Sequence, residues 1–257
     1  LSLVGSEMCI RDRVRAAGSR NAASATDVLL EATGSPDADV RIEALRALRR
    51  IAPPAAVSPM AAALLESAPA AEQREAERAL AAVLRRHPEV SLDPAVAAFE
   101  ATTTADARVS IVSAVGQTGR DDALPFLRQA LASDEAALRR SAVLALTDWP
   151  TPAPAPDLLA IAQAETEGSV PILALRGYIR LVSAPSALSP EEVTARLAPA
   201  LDTARQPEEK KAVLAALQQH ACPDSLALAR TLLDDPEVAP EARLAVDQLE
   251  DSLSYRR

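Results

Sequence analysis

The segment VRIEALRALRR (residues 40–50) of this 257-residue chain indicates the fold class, because its apolar residues recur at the spacing of one helix face. Val40, Ala44, Leu48 and then Ile51 lie three or four residues apart. Together they form one apolar stripe along an amphipathic helix. Arginine and glutamate occupy the opposite side. The stretch therefore predicts a helix that buries one side against a neighbouring element.

The same pattern recurs six more times along the chain. We call the last buried apolar position of each copy its anchor, and successive anchors are 31 to 39 residues apart. A shorter apolar segment precedes each copy, as in DVLLEAT (27–33) and SLALARTLL (225–233). Each repeat is therefore predicted to contain a helix A, a tight turn and a helix B. The predicted anchors are Leu48, Leu80, Val115, Leu146, Tyr178, Leu217 and Leu249.

The composition supports an all-α protein. Apolar residues make up 49% of the chain but aromatic residues only 2%, so leucine, alanine, valine and isoleucine must form the core. Alanine and leucine favour helices, and few runs of β-branched residues are present to form strands. Many prolines follow a capping residue and precede acids, as in Ser189-Pro190-Glu191 and Asp235-Pro236-Glu237. Such prolines are predicted to mark helix starts, whereas WPTPAPAP (149–156) is predicted to be an extended connector.

The segment SPDADVRIEALRAL resembles a HEAT repeat, with Val40-Arg41 at the start of helix B. The resemblance implies a right-handed α-α solenoid of about seven HEAT-like helix pairs. It also implies a ladder in which turn aspartates (Asp37 or Asp39, Asp106 and Asp134) pair with basic residues of helix B (Arg41, Arg108, Arg139 and Lys210). Repeat five departs from the pattern, since Pro171 stands where arginine is expected. ILALRGYIRLVS further resembles the HEAT segments of planctomycete and verrucomicrobial multidomain proteins, which implies a bacterial origin.

The first residues, LSLVGSEMCIRDR, differ in composition from the rest of the chain. Read back into codons, residues 3–12 resemble a transposase-type sequencing adapter, so we interpret this segment as non-native and the chain as a fragment of a larger protein. The expected organisation is a non-native segment at 1–13, a frayed or disordered stretch at 14–23, a single HEAT-like solenoid at 24–252 and a C-terminal tail at 253–257.

Residues that could carry chemistry are few. His87 and His220 lie near predicted helix ends, and no spacing of histidines and cysteines predicts a zinc site. Cys222 precedes Pro223 at a predicted helix start and is expected to be a packed thiol. Gly119 is interpreted as a left-handed helix cap, and Trp149 as a buried side chain between repeats four and five. The sequence predicts no catalytic residue, no cofactor and no metal site.

The charge pattern favours a protein partner over nucleic acid. The chain has a formal net charge of −9, and nucleic-acid affinity depends on neutralised phosphates. The chain has no run of about 20 apolar residues, which is the length needed to span a membrane. We therefore predict a non-catalytic recognition or scaffold module. The alternatives are an enzyme of the HEAT-type bilin lyase or DNA glycosylase kind, or a purely structural spacer. The residues are compatible with a cytoplasmic or a periplasmic location.

A partner-binding surface is predicted beside the anchors. Positions two before and two after each anchor lie one helical turn apart on the same side of helix B. They change from basic to acidic along the chain, but charges beside a buried stripe also occur on faces that only contact solvent. The ten candidate residues taken from this set, which we call the B-helix stripe, are Arg46, Arg50, Arg78, Gln117, Asp148, Arg176, Arg180, Gln219, Asp247 and Asp251.

Overall fold

The computed structural model describes residues 25–67, 70–165, 167–185 and 187–255, and within these ranges the regular elements are all helical. The predicted segments at 1–13 and 14–23 lie outside the described residues. Two short 3₁₀ turns, Pro54–Ala56 and Asp121–Ala123, precede α3 and α7. The α-helices of the described ranges are α1 (Thr26–Ala32), α2 (Ala38–Ile51), α3 (Val57–Glu66), α4 (Ala70–Arg86), α5 (Asp93–Ala101), α6 (Ala105–Gly116), α7 (Leu124–Leu131), α8 (Ala136–Thr147), α9 (Ala155–Ala164), α10 (Val170–Ser183), α11 (Pro190–Thr203), α12 (Pro207–Gln219), α13 (Pro223–Arg230) and α14 (Ala239–Ser254).

These helices form seven consecutive pairs, so the prediction of an all-α protein with about seven A–B repeats is confirmed. Odd-numbered helices are the A helices and even-numbered helices are the B helices. The chain divides into two compact units, with the boundary between Ala145 and Leu146 inside α8. The last helix, α14, continues to Ser254. Whether residues 24–252 form one continuous solenoid stays a prediction.

Each unit has the same internal arrangement of two helical layers. In the first unit the B helices α2, α4 and α6 contact one another in order, and the A helices α3 and α5 are also in contact. In the second unit α10, α12 and α14 form the layer of B helices, while α9, α11 and α13 form the layer of A helices. Within a unit, each repeat therefore buries its apolar faces against its neighbours, as repeat proteins do.

The predicted anchors lie one on each B helix and form part of the buried core. All seven are buried, from Leu48 at 0% exposure to Tyr178 at 5%. The rest of the predicted stripe of α2 is buried as well, including Val40, Ala44 and Ile51. Tyr178 is the polar exception among the anchors, and its hydroxyl group donates a 2.6 Å hydrogen bond to the carbonyl of Arg196. Because its ring is buried, the pKa of Tyr178 is raised.

Small residues allow successive B helices to approach closely. A Cβ atom added to Gly116 of α6 would lie 2.3 Å from the Cβ of Ala145 on α8. In the second unit, a Cβ atom on Gly177 would lie 2.4 Å from Cγ2 of Thr147. In both cases a residue directly after one anchor meets the residue directly before the next anchor. The sequence carries this pattern, because alanine or glycine precedes each of the first six anchors.

Some of the helix starts predicted from prolines are confirmed and others are wrong. Ser189 caps α11 with a reciprocal capping box to Glu192, and Pro190 is the first helical residue. The prediction for Asp235-Pro236 is wrong, since α14 begins at Ala239 and has Pro240 in its first turn. Residues 150–154 form bends and turns, and the predicted connector ends early because α9 already begins at Ala155.

Three basic residues of the predicted ladder form ion pairs, but their acidic partners belong to the following repeat and are not the predicted turn aspartates. Arg41 makes a two-bond contact with Glu72 of repeat two, at 2.8 and 3.0 Å. Arg108 pairs with Glu135 at the start of repeat four, at 2.5 Å. Asp37 caps its own helix by accepting the backbone N–H of Asp39. The pKa of Arg41 is raised mainly by its hydrogen bond to Glu72, and the charge of Asp37 adds a smaller contribution.

The same ladder continues in the second unit with a lysine. Nζ of Lys210 lies 2.7 Å from Oδ2 of Asp235 and 3.4 Å from Oε2 of Glu237, both in repeat seven. The hydrogen bond between Lys210 and Asp235 raises the pKa of the amine and lowers the pKa of the carboxyl group. Asp235 thus serves the ladder and does not cap a helix.

A second set of contacts joins the C-terminal ends of successive B helices, whereas the ladder joins their N-terminal ends. Arg86, the last residue of α4, donates to the carbonyl groups of Arg49 and Ala52 at the end of α2. Arg180 donates to the carbonyl groups of Thr147 and Trp149 just after α8, at 2.6 and 3.0 Å. The last carbonyl groups of a helix have no partner within it and carry partial negative charge. A basic residue of the next repeat therefore satisfies them.

Candidate partner-binding surface

The B-helix stripe is exposed along its whole length, since all ten of its residues are classed as exposed. This follows from the burial of the anchors, because a residue two positions from a buried anchor points about 160° away from it on an α-helix of 3.6 residues per turn. The first unit contributes Arg46, Arg50, Arg78 and Gln117. The second unit contributes Asp148, Arg176, Arg180, Gln219, Asp247 and Asp251. Whether the stripe binds a partner stays a prediction.

In the first unit, one buried glutamate brings stripe residues of two helices together. Oε1 of Glu75 lies 3.0 Å from Nη1 of Arg78 and 3.9 Å from Nε of Arg46. Its Oε2 lies 3.6 Å from Nη1 of Arg49, which is too long for a hydrogen bond. Arg46 also pairs with Glu43 at 2.8 Å. Sequence reasoning missed Glu75 and Arg49, because neither occupies a position two residues from an anchor.

Gln117 belongs to a second polar cluster of the first unit. Its amide donates to Oε1 of Glu77 and to the hydroxyl group of Ser113, both at 3.3 Å. The Ser113 hydroxyl group in turn donates to the same glutamate oxygen at 2.6 Å. This network links α4 with α6, so the exposed amide of Gln117 has a structural role in addition to any contact with a partner.

In the second unit the two arginines of α10 differ in their surroundings. Arg180 caps the end of α8, as described above, so its guanidinium group is already engaged. Arg176 has no hydrogen-bond or ion-pair partner among the residues that the structure describes. Of these two arginines, Arg176 is therefore the one whose donors are all available to a ligand.

The residues singled out for possible chemistry have structural roles. Nε2 of His220 lies 3.1 Å from the carbonyl oxygen of Ser183 at the end of α10, and Nδ1 of His87 lies 3.3 Å from Oε1 of Glu89. Cys222 is a buried free thiol whose sulfur accepts the backbone N–H of Ser225 at 3.3 Å. The predictions of helix-end histidines and a packed thiol are confirmed.

Trp149 and Gly119 also agree with their predicted roles. Trp149 is 1% exposed and is among the largest fully buried side chains. Gly119 follows α6 with a φ of 64°, in the left-handed region where glycine avoids the steric penalty of a Cβ atom. Its backbone N–H donates to the carbonyl of Gly116 at 3.2 Å. Both residues follow a B helix and lie where the chain leads into the next repeat.

Two depressions of the second unit lie away from the stripe. One, of about 140 Å³, lies beside the turns that precede α10 and α12, with Pro171, Arg205 and Glu209 in its lining. The other is a shallow apolar groove of about 380 Å³ between α11 and α13, lined by Ala198 and Ala227 among others. Within the described ranges, no group of three histidine, cysteine or acidic side chains is placed to hold a metal ion. No described helix is long and apolar enough to cross a membrane.

The middle of the chain matches a known family of helical repeats. Residues 92–177 match the family model for HEAT repeats. The matched residues run from the start of repeat three through most of repeat five. They carry Gln117, Asp148 and Arg176 of the B-helix stripe.

Solved structures with a similar chain course include one natural protein and two engineered ones. Human deoxyhypusine hydroxylase in complex with glycerol is 19% identical, with a TM-score of 0.40, and the alignment covers 96% of this chain and 99% of that chain. One engineered protein is 20% identical over 93% of this chain and 84% of its own, with a TM-score of 0.42. A second is 18% identical over 88% and 96%, with a TM-score of 0.34. No curated protein matches the chain.

Proposed function

We propose that this chain is a non-catalytic recognition module that binds a protein partner through the exposed faces of its B helices. The observation that carries the proposal is the exposure of all ten residues of the B-helix stripe beside seven buried anchors. The buried anchors fix the backbone of the B helices, and the stripe residues on the other side are exposed. Such a surface can bind a partner with little reordering of its own backbone.

Three further observations support recognition as the role. The helix pairs bury their A and B faces against neighbouring repeats, which leaves the outer side of the B layer as a repeated surface. Arginine, which is enriched in the energetically important positions of protein interfaces, supplies five of the ten stripe residues. His220 and Cys222, which could have served catalysis, instead cap helices.

The proposal is tested by comparing which proteins the intact chain and its variants retain from an extract of the source cells. Arg50→Ala with Arg176→Ala removes two exposed arginines that have no partner among the described residues, so the fold should not change. The matched control, Arg196→Ala with Arg243→Ala, removes the same charge from exposed residues outside the stripe. We expect the stripe variant to lose a protein that both the wild type and the control retain.

Two results would contradict the proposal. Equal retention by all three chains would show that the stripe only contacts solvent, as in a structural spacer. Equal loss in the stripe variant and the control would show that net charge alone holds the partner. Arg180 is excluded from this test, because its replacement would remove two hydrogen bonds at the end of α8 and would confuse a loss of stability with a loss of binding.

A further inference from the structure

The exposed surface over α2 and α4 has an unusual feature, which is a buried carboxylate beneath several exposed arginines. Glu75 is 8% exposed. Its two oxygens lie within 4.0 Å of guanidinium nitrogens of Arg46, Arg49 and Arg78, which come from both helices. One of these oxygens, Oε2, is buried and has no hydrogen-bond partner among the described residues. A buried charge is tolerated when it is paired, so Glu75 holds these arginines near one another.

The arginines retain most of their donors for a ligand. The side chains of Arg46 and Arg78 are 48% and 56% exposed. A guanidinium group has five N–H donors in a fixed planar arrangement, and the contacts with glutamate use only some of them. Arg50 lies one turn after Arg46 on the same helix, is exposed and has no partner among the described residues. With Glu43 and Glu75 counted against these four arginines, the surface keeps a positive charge.

The spacing of these donors matches an extended peptide. Residues four apart on a helix have Cβ atoms about 5–6 Å apart, which fits Arg46 and Arg50. Alternate side chains of an extended chain lie on one side about 6.6 Å apart, since each residue advances about 3.3 Å. Two acids at alternate positions of an extended segment can therefore meet Arg46 and Arg50 together, and a further acid can meet Arg78 on the neighbouring helix.

We propose that Arg46, Arg50 and Arg78 bind the acidic side chains of an extended peptide segment of a protein partner, with Glu75 as the positioning residue beneath them. This inference rests on the proposed function and names the chemistry of the partner in the first unit. Carboxylates suit these arginines because a carboxylate accepts two parallel N–H bonds from one guanidinium group.

An acidic peptide fits this surface better than a nucleic acid does. Double-stranded DNA presents one phosphate charge per about 1.7 Å of helix axis and requires a continuous basic surface. Here Glu43 stands one turn before Arg46, and Glu77 lies beside Arg78 in the chain. These acids would repel a continuous row of phosphates, whereas spaced carboxylates can bind between them.

The first experiment is a titration of the full chain with a blocked ten-residue peptide of alternating glutamate and serine. The comparison probes are the glutamine–serine peptide and a single-stranded oligothymidylate of similar length. We expect binding of the glutamate peptide alone, which weakens as ionic strength rises to about 0.15 M because screening then acts over about 8 Å. No binding of the glutamate peptide, or tighter binding of the oligonucleotide, would overturn the proposal.

Variants then locate the binding site. Each exposed ion pair contributes up to about 1 kcal/mol, or about fivefold in affinity. Arg50→Ala should therefore weaken peptide binding about threefold to fivefold, and it should leave the fold intact because Arg50 holds no other residue. The triple variant R46A/R50A/R78A should weaken binding by more than about thirtyfold. The matched triple control R196A/R230A/R243A removes the same charge from the second unit and should change affinity by less than about twofold. Equal effects in the two triples would overturn the proposal.

Glu75→Gln tests the positioning role separately from charge. The replacement keeps the size of the side chain but removes the negative charge that holds the arginines. If charge alone governs binding, the variant should bind the acidic peptide more tightly, because the surface becomes more positive. If Glu75 positions the arginines, the variant should bind it several times more weakly, with an unchanged far-ultraviolet circular dichroism spectrum. Tighter binding would overturn the positioning role.

These outcomes are distinguishable from failure of the proposed function. If no acidic peptide binds, but a natural protein is still retained through Arg50 and Arg176, then only the acidic chemistry assigned to the first unit is wrong. If the acidic peptide binds but no protein depends on the stripe, then the recognition role is wrong although the arginines bind carboxylates.

Discussion

The two units build the same helix pairs but begin their helices differently. In the second unit, each of the helices α9 to α14 has a proline at its first or second position. In the described part of the first unit, only α5 and α7 do. Proline presets the helical φ, and the N–H group that it lacks has no partner in the first turn. The second unit therefore restricts its unfolded chain at each of these helix starts.

Both units also contain interactions that exist only in the folded state. In the second unit Ser189 caps α11 and Lys210 pairs with Asp235, and the first unit has equivalent contacts. Asp37 caps α2 through its side chain, and Arg41 and Arg108 pair with acids of the following repeats. Such contacts act on the native state, whereas proline lowers the entropy of the unfolded chain. The second unit therefore adds a restriction of the unfolded chain to the native-state caps and ion pairs that both units contain. Four experiments test this comparison.

The largest expected effect is the loss of the buried tryptophan that begins the second unit. Trp149→Ala should destabilise the protein by about 3–5 kcal/mol, because a large cavity replaces a fully buried side chain. Urea denaturation followed by far-ultraviolet circular dichroism measures this loss. Leu244→Ala is the control, since Leu244 is 56% exposed and its loss should cost less than about 0.5 kcal/mol. Hydrogen exchange should accelerate in the second unit; equal acceleration throughout the chain would contradict the division into two units.

The close approach of B helices predicts a matched loss in each unit. Gly116→Ala and Gly177→Ala each place a Cβ atom within 2.4 Å of a side-chain carbon on the preceding or following B helix. Overpacking should cost about 1–3 kcal/mol, which exceeds the gain of about 1 kcal/mol in helix propensity. In Gly34→Ala the new Cβ atom would meet its nearest atom at 3.5 Å, so this control should be nearly neutral. A stabilised Gly177→Ala would show that the second unit can separate these helices without cost.

Exchanging the two ways of starting a helix tests the comparison directly. Ala105 is exposed, is the first residue of α6 and follows Thr104 in an extended conformation that tolerates a following proline. Ala105→Pro should therefore stabilise the protein by about 0.4–1 kcal/mol, and Pro207→Ala should destabilise it by a similar amount. Thermal unfolding of both variants measures these changes. Opposite signs would show that proline does not account for the difference between the units.

The smallest expected effect belongs to the ladder in the second unit. Asp235→Asn should lower the melting temperature by about 1–3 °C near neutral pH, because a surface ion pair whose side chains are partly exposed contributes little. The pKa of Asp235 is lowered by its hydrogen bond to Lys210, so its contribution is present above its ordinary pKa near 3.8 and is lost as pH falls below it. The pKa of Lys210 is raised by the same bond, so the contribution is lost again as pH rises above 10.5. A difference between wild type and variant that persists at both extremes would contradict this assignment.

The repeat pattern was predictable because it depends on residues close in sequence. The spacing of Leu48, Leu146 and the other anchors follows from the 3.6-residue helical period, and all seven are buried. The helix start at Ser189 was also predictable, since the capping residues are contiguous. These features can be predicted without knowing which residues of different repeats are in contact.

The partners between repeats were not predictable from the same reasoning. Glu72 pairs with Arg41 across 31 residues, and the chain offers 36 acids to 27 basic residues, so spacing alone cannot select the pairs. For the same reason, spacing could not predict the position of Glu75 beneath the arginines. It also could not predict that Arg180 caps a helix and Arg176 does not. One local signal was available for the close helix approach, namely the small residue before the first six anchors.

The capping of α13 by a thiol gives the protein a chemical reporter of local opening. Cys222 is 2% exposed, its sulfur accepts the N–H of Ser225 and lies 3.5 Å from the hydroxyl group of Thr194. An alkylating reagent can reach this sulfur only after the start of α13 separates from its surroundings. With Cys9 replaced by serine, each molecule keeps one reactive sulfur. The labelling rate, measured by mass spectrometry against a free thiol, then gives the frequency with which repeat seven opens, and a bound partner that stabilises repeat seven would slow it.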